Sequence, residues 1–318
     1  MDVLLFTPIS ELKLSIQKSW VTPYLVRLQN ELKNKGIRFK PHFWLSDEWF
    51  CPDGITGFAL PFYIVNKKLL KLARQEIFVV EGADERVIMK YLRHECAHAL
   101  DNAFHLRKRK RRQKLFGISS KRYPESYKPK ITQNKFVKHI DPAYAQAHPE
   151  EDWAETFAVW LDPKSDWRKK YKIGKVREKL DYMEEVMQSI KNKKQICKNN
   201  DKIDSYKEIK ITLGEFFEKR RRGHGIHKKI YAQKLNKIFN GFNRKSASTY
   251  LKNNRKSISK ELLKLPNTNS YQVDMILGKM IAYCSEHKLR LNEDRELIPR
   301  IKRQFIALMR AGEDKVIM

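Results

Sequence analysis

His94, Glu95 and His98 form an H-E-x-x-H motif in residues 85–104, a stretch that lacks Pro and Gly and carries apolar residues at helical spacing. Because residues four apart lie on one face of an α-helix, both imidazoles can bind one zinc ion. Glu95 is rotated by about 100° from His94 around such a helix, so its carboxylate would lie beside a zinc-bound water and not on the metal. The motif predicts a zinc hydrolase centre whose third protein ligand is still to be found.

The motif can also arise by chance, a risk that any short pattern carries. Here His94 and His98 are flanked by apolar residues, namely Leu92, Ala97 and Leu100. Two histidines on an apolar helix face would be destabilising unless they had polar partners or a metal. This context favours a metal site.

A second segment, residues 144–160, combines acids with large aromatic residues. Pro149 suits the first turn of a helix, and acids in that turn complement the positive end of the helix dipole. Glu151 and Glu155 are one turn apart, so both carboxylates face the same way. One can bind zinc while the other accepts the second ring N–H of a ligand histidine. An ordinary acidic helix start is the alternative, although the apolar residues favour a buried helix: Trp153, Phe157 and Trp160.

Other third ligands fit less well. A metzincin has Gly three residues and His six residues after the second His. Those positions hold Asp101 and Phe104, and His105 is one residue out of register. We expect Asp101 to support the site or the end of the helix. His139 and His148 stay open as alternative ligands.

Residues 37–65 have a different pattern, with aromatic and β-branched residues on both sides of a Pro-Asp-Gly turn signal. Residues 43–45, 58–65 and 77–80 are predicted strands. Pro61 would be tolerated on an edge strand, whose unpaired backbone groups can bind an extended peptide. An edge that is merely protected by proline is an equally good explanation.

The chain has 66 Lys or Arg against 37 Asp or Glu, a net charge of +29. Such an excess favours polyanionic partners, including nucleic acid. The basic segments 107–138 and 219–229 are the candidate contact regions, and the first should emerge near the cleft. A solvated basic surface, or a general bias toward Lys and Asn, would explain the same composition.

The four cysteines are scattered and form no C-x-x-C pair. A disulfide framework is therefore not expected, and a reducing compartment fits. The N-terminus lacks the basic and apolar regions of a signal peptide, and no apolar run reaches the ~20 residues of a membrane span. We expect a cytoplasmic protein without membrane contact.

With both segments considered, the chain resembles a bacterial family of zinc-binding metallopeptidases. The likeness is closest in residues 43–50, 92–103 and 144–161, and it covers roughly residues 35–185. More distantly, the pattern is similar to gluzincins of the anthrax-lethal-factor type. Their third ligand is a Glu followed four residues later by an acid, and a Tyr seven residues before that Glu assists catalysis.

This resemblance implies that Glu151 is the third zinc ligand, that Glu155 is the following acid and that Tyr144 is the catalytic tyrosine. A packed aromatic residue is the alternative role for Tyr144. One position departs from the family: Ala97 stands where the motif usually has Gly. This change is sterically mild inside a helix and affects only close packing above that turn.

We expect an α+β fold that begins with a zincin-like metallopeptidase domain in residues 1–192. In this domain a small sheet with an edge strand lies over the active-site helix. A polar linker in 193–204 and an all-helical basic region in 205–318 follow. The C-terminal region can serve as a nucleic-acid-binding or partner-binding module, although its helices need only each other to fold.

The predicted function is hydrolysis of a peptide or protein substrate by a zinc-bound water that Glu95 activates, with Tyr144 stabilising the oxyanion. One alternative is a SprT-like protease acting on DNA-associated proteins, which would use a third histidine. Another is a basic nucleic-acid-binding protein with a non-catalytic zinc site, which would bind in a salt-sensitive manner.

Overall fold

The computed structural model describes residues 3–77, 80–85, 87–127, 134–140, 143–223, 228–241, 245–292, 296–312 and 316–317. The chain divides into two units. Unit 1 comprises Met1–Ala73, Val80–Glu125 and Thr132–Phe216, and unit 2 comprises Arg74–Val79, Ser126–Ile131 and Phe217–Met318.

Helices make up most of both units. The α-helices are α1 (Thr22–Asn34), α2 (Lys67–Glu76), α3 (Ile88–Phe104), α4 (Lys110–Phe116), α5 (Pro149–Leu161), α6 (Trp167–Lys170), α7 (Lys175–Ile190), α8 (Leu213–Gly223), α9 (Lys228–Leu235), α10 (Ala247–Asn253), α11 (Arg255–Leu262), α12 (Ser270–Glu286) and α13 (Leu297–Arg310). Short 3-10 helices span Val3–Phe6, Ile9–Glu11, Phe62–Val65, Leu106–Lys108, Tyr144–Gln146 and Tyr206–Glu208. Strands β1 (His42–Ser46), β2 (Gly57–Pro61), β3 (Ser126–Tyr127) and β4 (Val316–Ile317) complete the described elements.

Helix α3 carries the H-E-x-x-H motif and is almost entirely buried. It ends at Phe104, and the next residue, His105, adopts the left-handed conformation with φ of 50° that commonly terminates a helix. The buried set includes both motif histidines and apolar residues on every side, such as Leu92 and Leu100. A helix that is buried on all sides lies at the centre of its unit, which makes α3 the scaffold for the other elements.

Strands β1 and β2 pair in parallel, with Phe43 opposite Phe58 and Leu45 opposite Leu60. Ala59 also bridges to Phe50. The predicted strand over residues 58–65 is too long, because it ends at Pro61 and continues as the 3-10 helix Phe62–Val65. Proline supplies no N–H for a further ladder bond. The strand predicted for residues 77–80 includes Phe78 and Val79, which lie outside the described residues.

Helix α5 packs against α3 and brings the acidic segment to the motif. Pro149 is its first residue and His148 is its N-cap. Acids occupy its first turn, where the positive end of the helix dipole favours them. Its three large aromatic residues are at most 2 % exposed: Trp153, Phe157 and Trp160. Their burial keeps the start of α5 against the middle of α3.

The expected linker, residues 193–204, is hydrogen-bonded along unit 1. The bonds include Ile196 N to Ala103 O, Thr56 N to Asn199 O and Trp44 Nε1 to Ile203 O, at 2.9, 3.0 and 2.8 Å. Unit 1 continues to Phe216, so the division between the units falls within α8. The polar side chains of this segment therefore accompany a backbone that is anchored to β1, β2 and α3.

Unit 2 has its own core, formed by apolar side chains of α9–α13. It is not purely helical as expected, because β3 and β4 form a short antiparallel pair. A strand of two residues is too short to show the alternation of side chains by which a strand is predicted from sequence. Among the described helices, none combines the length and the apolarity that a bilayer crossing demands.

Candidate metal centre

His94 and His98 project from one face of α3, as their spacing predicts. Their Nε2 atoms are 3.2 Å apart, and the ring planes are inclined by 69°. His94 is 2 % exposed and His98 is 9 % exposed. Two imidazole nitrogens therefore converge on one small volume inside unit 1.

Glu151 of α5 reaches the same volume. Its Oε2 atom lies 2.9 Å from His94 Nε2 and 3.7 Å from His98 Nε2. Burial by itself would raise the pKa of Glu151, but the two histidines outweigh it and hold that pKa well below its ordinary value. The carboxylate is thus kept ionised in a buried position.

The three side chains fit a zinc ion. One donor atom from each of His94, His98 and Glu151 lies within 4.8 Å of the others. Zinc ligands at about 2.1 Å in a tetrahedron would be separated by about 3.4 Å. The observed separations of 2.9, 3.2 and 3.7 Å bracket that value. Two imidazole nitrogens and one carboxylate oxygen also form a common donor set of catalytic zinc sites.

Glu155, one turn after Glu151, approaches His94 from its other side. Its Oε1 atom is 2.9 Å from His94 Nδ1, and its Oε2 atom accepts the backbone N–H of Ile140 at 2.7 Å. Burial would lower the pKa of His94, yet the hydrogen bonds to Glu151 and Glu155 raise it well above the ordinary value. Glu155 is therefore placed to fix the ring and the tautomer of His94.

Glu95 lies beside the histidine pair and is 6 % exposed. Burial raises its pKa, while the nearby His94 and His98 partly oppose that change. A carboxylate with a raised pKa next to a metal-ligand set can accept and return a proton. The role of Glu95 as a general base stays a prediction.

The residues 72–236, just over half of the chain, match a family model described as "Putative zinc-binding metallo-peptidase". The chain belongs to this family. No curated protein and no solved structure matches it significantly. The family assignment agrees with the group of possible metal donors on α3 and α5, and it identifies the metallopeptidase class without naming a substrate.

Tyr144 precedes α5 in this metallopeptidase, on the 3-10 helix Tyr144–Gln146. Its ring centroid lies 5.5 Å from that of His94. Burial and the nearby carboxylate of Glu151 raise the pKa of Tyr144 well above its ordinary value, so its hydroxyl keeps its proton and can donate a hydrogen bond. The structure thus brings Tyr144 to the site.

Asp101 takes a different position from the motif residues. It is 1 % exposed, and its Oδ1 atom lies 2.6 Å from Arg112 Nη1. Its Oδ2 atom lies 3.4 Å from Arg107 Nε. Asp101 therefore joins the last turn of α3 to the segment around α4, and its partners are arginines instead of a ligand histidine.

The alternative ligands use their ring nitrogens elsewhere. His148 Nδ1 accepts the backbone N–H of Glu150 at 3.2 Å, and its Nε2 donates to Lys121 O at 2.6 Å. His139 Nε2 lies 3.3 Å from Lys90 O. Within the described residues, neither histidine belongs to the group of converging donors.

Tyr123 is a site residue that sequence reasoning missed. Its hydroxyl donates to Glu151 Oε1 at 2.7 Å, and its ring stacks on His148 with centroids 3.7 Å apart. Tyr123 lies 28 residues before Glu151, within a polar and basic segment. The sequence shows only an aromatic residue in such a segment, and this does not indicate that Tyr123 contacts Glu151.

The arginine-rich run after α3 is partly internal. Arg112 is 2 % exposed and lies over the Trp153 ring at 4.1 Å. Arg107 contacts Asp53 at 2.6 Å and Glu150 at 3.2 Å. At least these two arginines are neutralised by acids within unit 1. The second basic segment, residues 219–229, includes positions 224–227, which lie outside the described residues.

Proposed function

We propose that the protein is a zinc-dependent peptidase whose metal is held by His94, His98 and Glu151. The observation that carries this proposal is the convergence of their three donor atoms within 4.8 Å, in a member of a zinc-binding metallopeptidase family. A ligand set of two histidines and a glutamate, with the base in the H-E-x-x-H motif, corresponds to the gluzincin type.

When bound there, a zinc ion would polarise the scissile carbonyl and lower the pKa of a water molecule. Glu95 accepts a proton from the attacking water and then delivers it to the leaving amine. Its raised pKa supports this exchange, because a base and acid works best when its pKa approaches the working pH. Burial raises that pKa, and the charges of His94 and His98 only partly oppose the rise.

Tyr144 donates a hydrogen bond to the oxyanion that develops on the substrate carbonyl. Its place beside His94 and its raised pKa support this role. Glu155 orients His94 through Nδ1 and leaves Nε2 free to face Glu151 and His98. The third-histidine arrangement has less support, since His148 is engaged by backbone groups through both ring nitrogens.

Metal analysis combined with a proteome-wide cleavage assay tests the proposal. The wild-type protein should contain close to one zinc ion per chain and should generate new peptide termini. Glu95→Gln should retain zinc and lose cleavage, whereas His98→Ala should lose both. Glu178→Gln, an exposed position on α7 that pairs with Lys175, is the matched control and should behave as wild type.

Two results would count against the proposal. Cleavage that persists in Glu95→Gln would refute the assignment of Glu95 as the base. A wild-type protein that carries no zinc after loading and washing would refute the assignment of the metal. Zinc binding without any cleavage would instead favour the non-catalytic zinc protein.

A further inference from the structure

Tyr123 contacts the carboxylate ligand on the side away from the histidines. Its hydroxyl donates to Glu151 Oε1 at 2.7 Å, while Glu151 Oε2 faces His94 Nε2 at 2.9 Å. The two oxygens of one carboxylate thus have separate partners. Because the terminal torsion of a glutamate is broad, such a contact removes rotational freedom that metal binding would otherwise have to restrict.

His148 holds Tyr123 in place. The two rings stack with an interplanar angle of 19° and a centroid distance of 3.7 Å. His148 also caps α5 through Nδ1 and donates to Lys121 O, two residues before Tyr123. One side chain therefore connects the start of the helix that carries Glu151 to the loop that carries Tyr123.

We propose that Tyr123, supported by His148, is a positioning residue for Glu151 and sets the zinc affinity of the site. The inference rests on the proposed function, because it assigns Glu151 to the metal. Hydrogen-bond partners of ligand side chains commonly contribute 10–100-fold to metal affinity or activity. Tyr123 lies on neither α3 nor α5, so the metal site depends on the loop after α4.

Tyr123→Phe removes the hydroxyl and keeps the ring for stacking on His148. Tyr123 is 41 % exposed, so the substitution leaves the core intact. We expect competition with a chromophoric chelator to show about 10–100-fold weaker zinc binding by the full-length variant. Tyr123→Leu should weaken it at least as much, and Tyr250→Phe in unit 2 should leave it unchanged. At saturating zinc, Tyr123→Phe should recover most of the wild-type cleavage rate.

The outcomes separate three explanations. Unchanged zinc affinity in both Tyr123 variants overturns the inference. A cleavage defect that persists at saturating zinc, with affinity unchanged, also overturns it and assigns Tyr123 to the substrate. Failure of the wild-type protein to bind zinc refutes the proposed function itself.

A separate observation concerns unit 2. Residues 219–260 contain fourteen Lys or Arg and no Asp or Glu. The apolar residues Leu251, Ile258 and Leu262 of α10 and α11 are at most 1 % exposed. The lysines of the same two helices are exposed, namely Lys252, Lys256 and Lys260.

Lys256 and Lys260 are exposed and lie one turn apart on one face of α11, and the exposed Lys264 follows just after the helix ends at Leu262. The charge of Lys302, on α13, also acts on the carboxylate of Glu261 in α11. This carboxylate accepts from Lys264 at 2.5 Å, and its pKa is lowered first by that bond and then by the charges of Lys264, Lys302 and Lys260. We call Lys256, Lys260, Lys264 and Lys302 the α11 lysine surface.

We infer that the α11 lysine surface binds the phosphate backbone of a nucleic acid without reading its bases. Clustered lysines gain affinity by releasing the counterions of a polyanion, and neighbouring polar groups such as Asn253 and Ser257 can contact phosphates. A membrane-surface helix would need an exposed apolar face. Here the apolar face of α11 is buried, and the exposed Leu263 is a single residue.

Fluorescence polarisation with labelled single-stranded and duplex DNA of random sequence tests this inference on the full-length protein. The triple variant Lys256→Glu, Lys260→Glu, Lys264→Glu should bind at least tenfold more weakly. For this variant, the slope of the logarithm of the binding constant against the logarithm of the salt concentration should be smaller in magnitude by about 2–3. The control reverses three exposed lysines of unit 1, Lys33, Lys40 and Lys68, and changes the net charge equally. It should retain most of the binding.

Equal losses in the test and control variants would show that only net charge matters and would overturn the surface assignment. Binding to phosphatidylserine vesicles in the absence of DNA binding would also overturn it. Lys→Gln substitutions at the same three positions guard against misfolding, because they remove charge without introducing repulsion. They should also weaken DNA binding, by a smaller factor.

Discussion

Glu155 Oε1 lies 2.9 Å from His94 Nδ1, on the side of the ring opposite the atom that faces Glu151. The other oxygen of Glu155 accepts the backbone N–H of Ile140. Burial would raise the pKa of Glu155, but His139, His94 and the Ile140 bond together lower it. An ionised carboxylate anchored to the backbone therefore sets the orientation of a proposed zinc ligand.

Glu155→Gln should weaken zinc binding by about 10–100-fold, because a neutral amide orients and polarises His94 less well. Competition titration with a chelator measures this change, and circular dichroism verifies the fold. The control is Glu178→Gln on the exposed face of α7. Wild-type affinity in a folded Glu155→Gln protein would show that the contact to His94 is structural only.

The buried ion pair between Asp101 and Arg112 predicts a stability effect. Both residues are at most 2 % exposed, and their closest atoms are 2.6 Å apart. Asp101→Asn would leave the guanidinium without its charged partner, and breaking a buried pair typically costs about 3–5 kcal/mol. Urea denaturation should show this loss in the free energy of unfolding.

The exposed pair Arg111 and Glu185 provides the comparison, because its side chains are 58 % and 60 % exposed. Glu185→Gln should change stability by about 1 kcal/mol or less. Similar effects of the two substitutions would mean that Arg112 finds other partners when Asp101 is neutralised.

Local patterns were sufficient to predict the elements that carry the site. Residue spacing places His94 and His98 on one face of α3, and Pro149 marks the start of α5. The sequence alone left two roles open for Glu151 and Glu155. The packing of α5 against α3 places both carboxylates around His94, one at each ring nitrogen.

Contacts between distant segments could not be predicted in this way. Tyr123 meets Glu151 only because the loop after α4 folds back along His148. Arg112 belongs to a basic run that resembles a solvated surface, yet its partner Asp101 lies at the end of α3. In both cases the pattern of one segment carries no information about the segment that packs on it.

Glu184 predicts a pH dependence of stability. Burial would raise its pKa, but the hydrogen bonds from Trp160 and Gln188 and the charges of Lys35 and Arg168 lower it. A folded-state pKa below the unfolded value adds stability that is complete above the unfolded pKa and is lost as the pH falls through the folded pKa.

Glu184→Gln should therefore cost about 1 kcal/mol near neutral pH, and the difference from wild type should vanish in acid. Chemical denaturation of both proteins between pH 3 and pH 7, about the range over which a carboxyl titrates, measures the difference. If the difference in the free energy of unfolding between the two proteins increased on acidification, it would contradict the lowered pKa of Glu184.

The donor set of the metal centre predicts which cation stabilises the fold. A ligand that binds only the folded state stabilises it by about 2.7 kcal/mol at a hundredfold excess over its Kd. Imidazole nitrogens suit zinc, whereas magnesium prefers oxygen ligands. Zinc should therefore raise the thermal midpoint of the chelated protein, and magnesium should leave it nearly unchanged. In Glu151→Ala, zinc should no longer raise the thermal midpoint. An increase equal to that of the wild-type protein would show that the cation binds elsewhere.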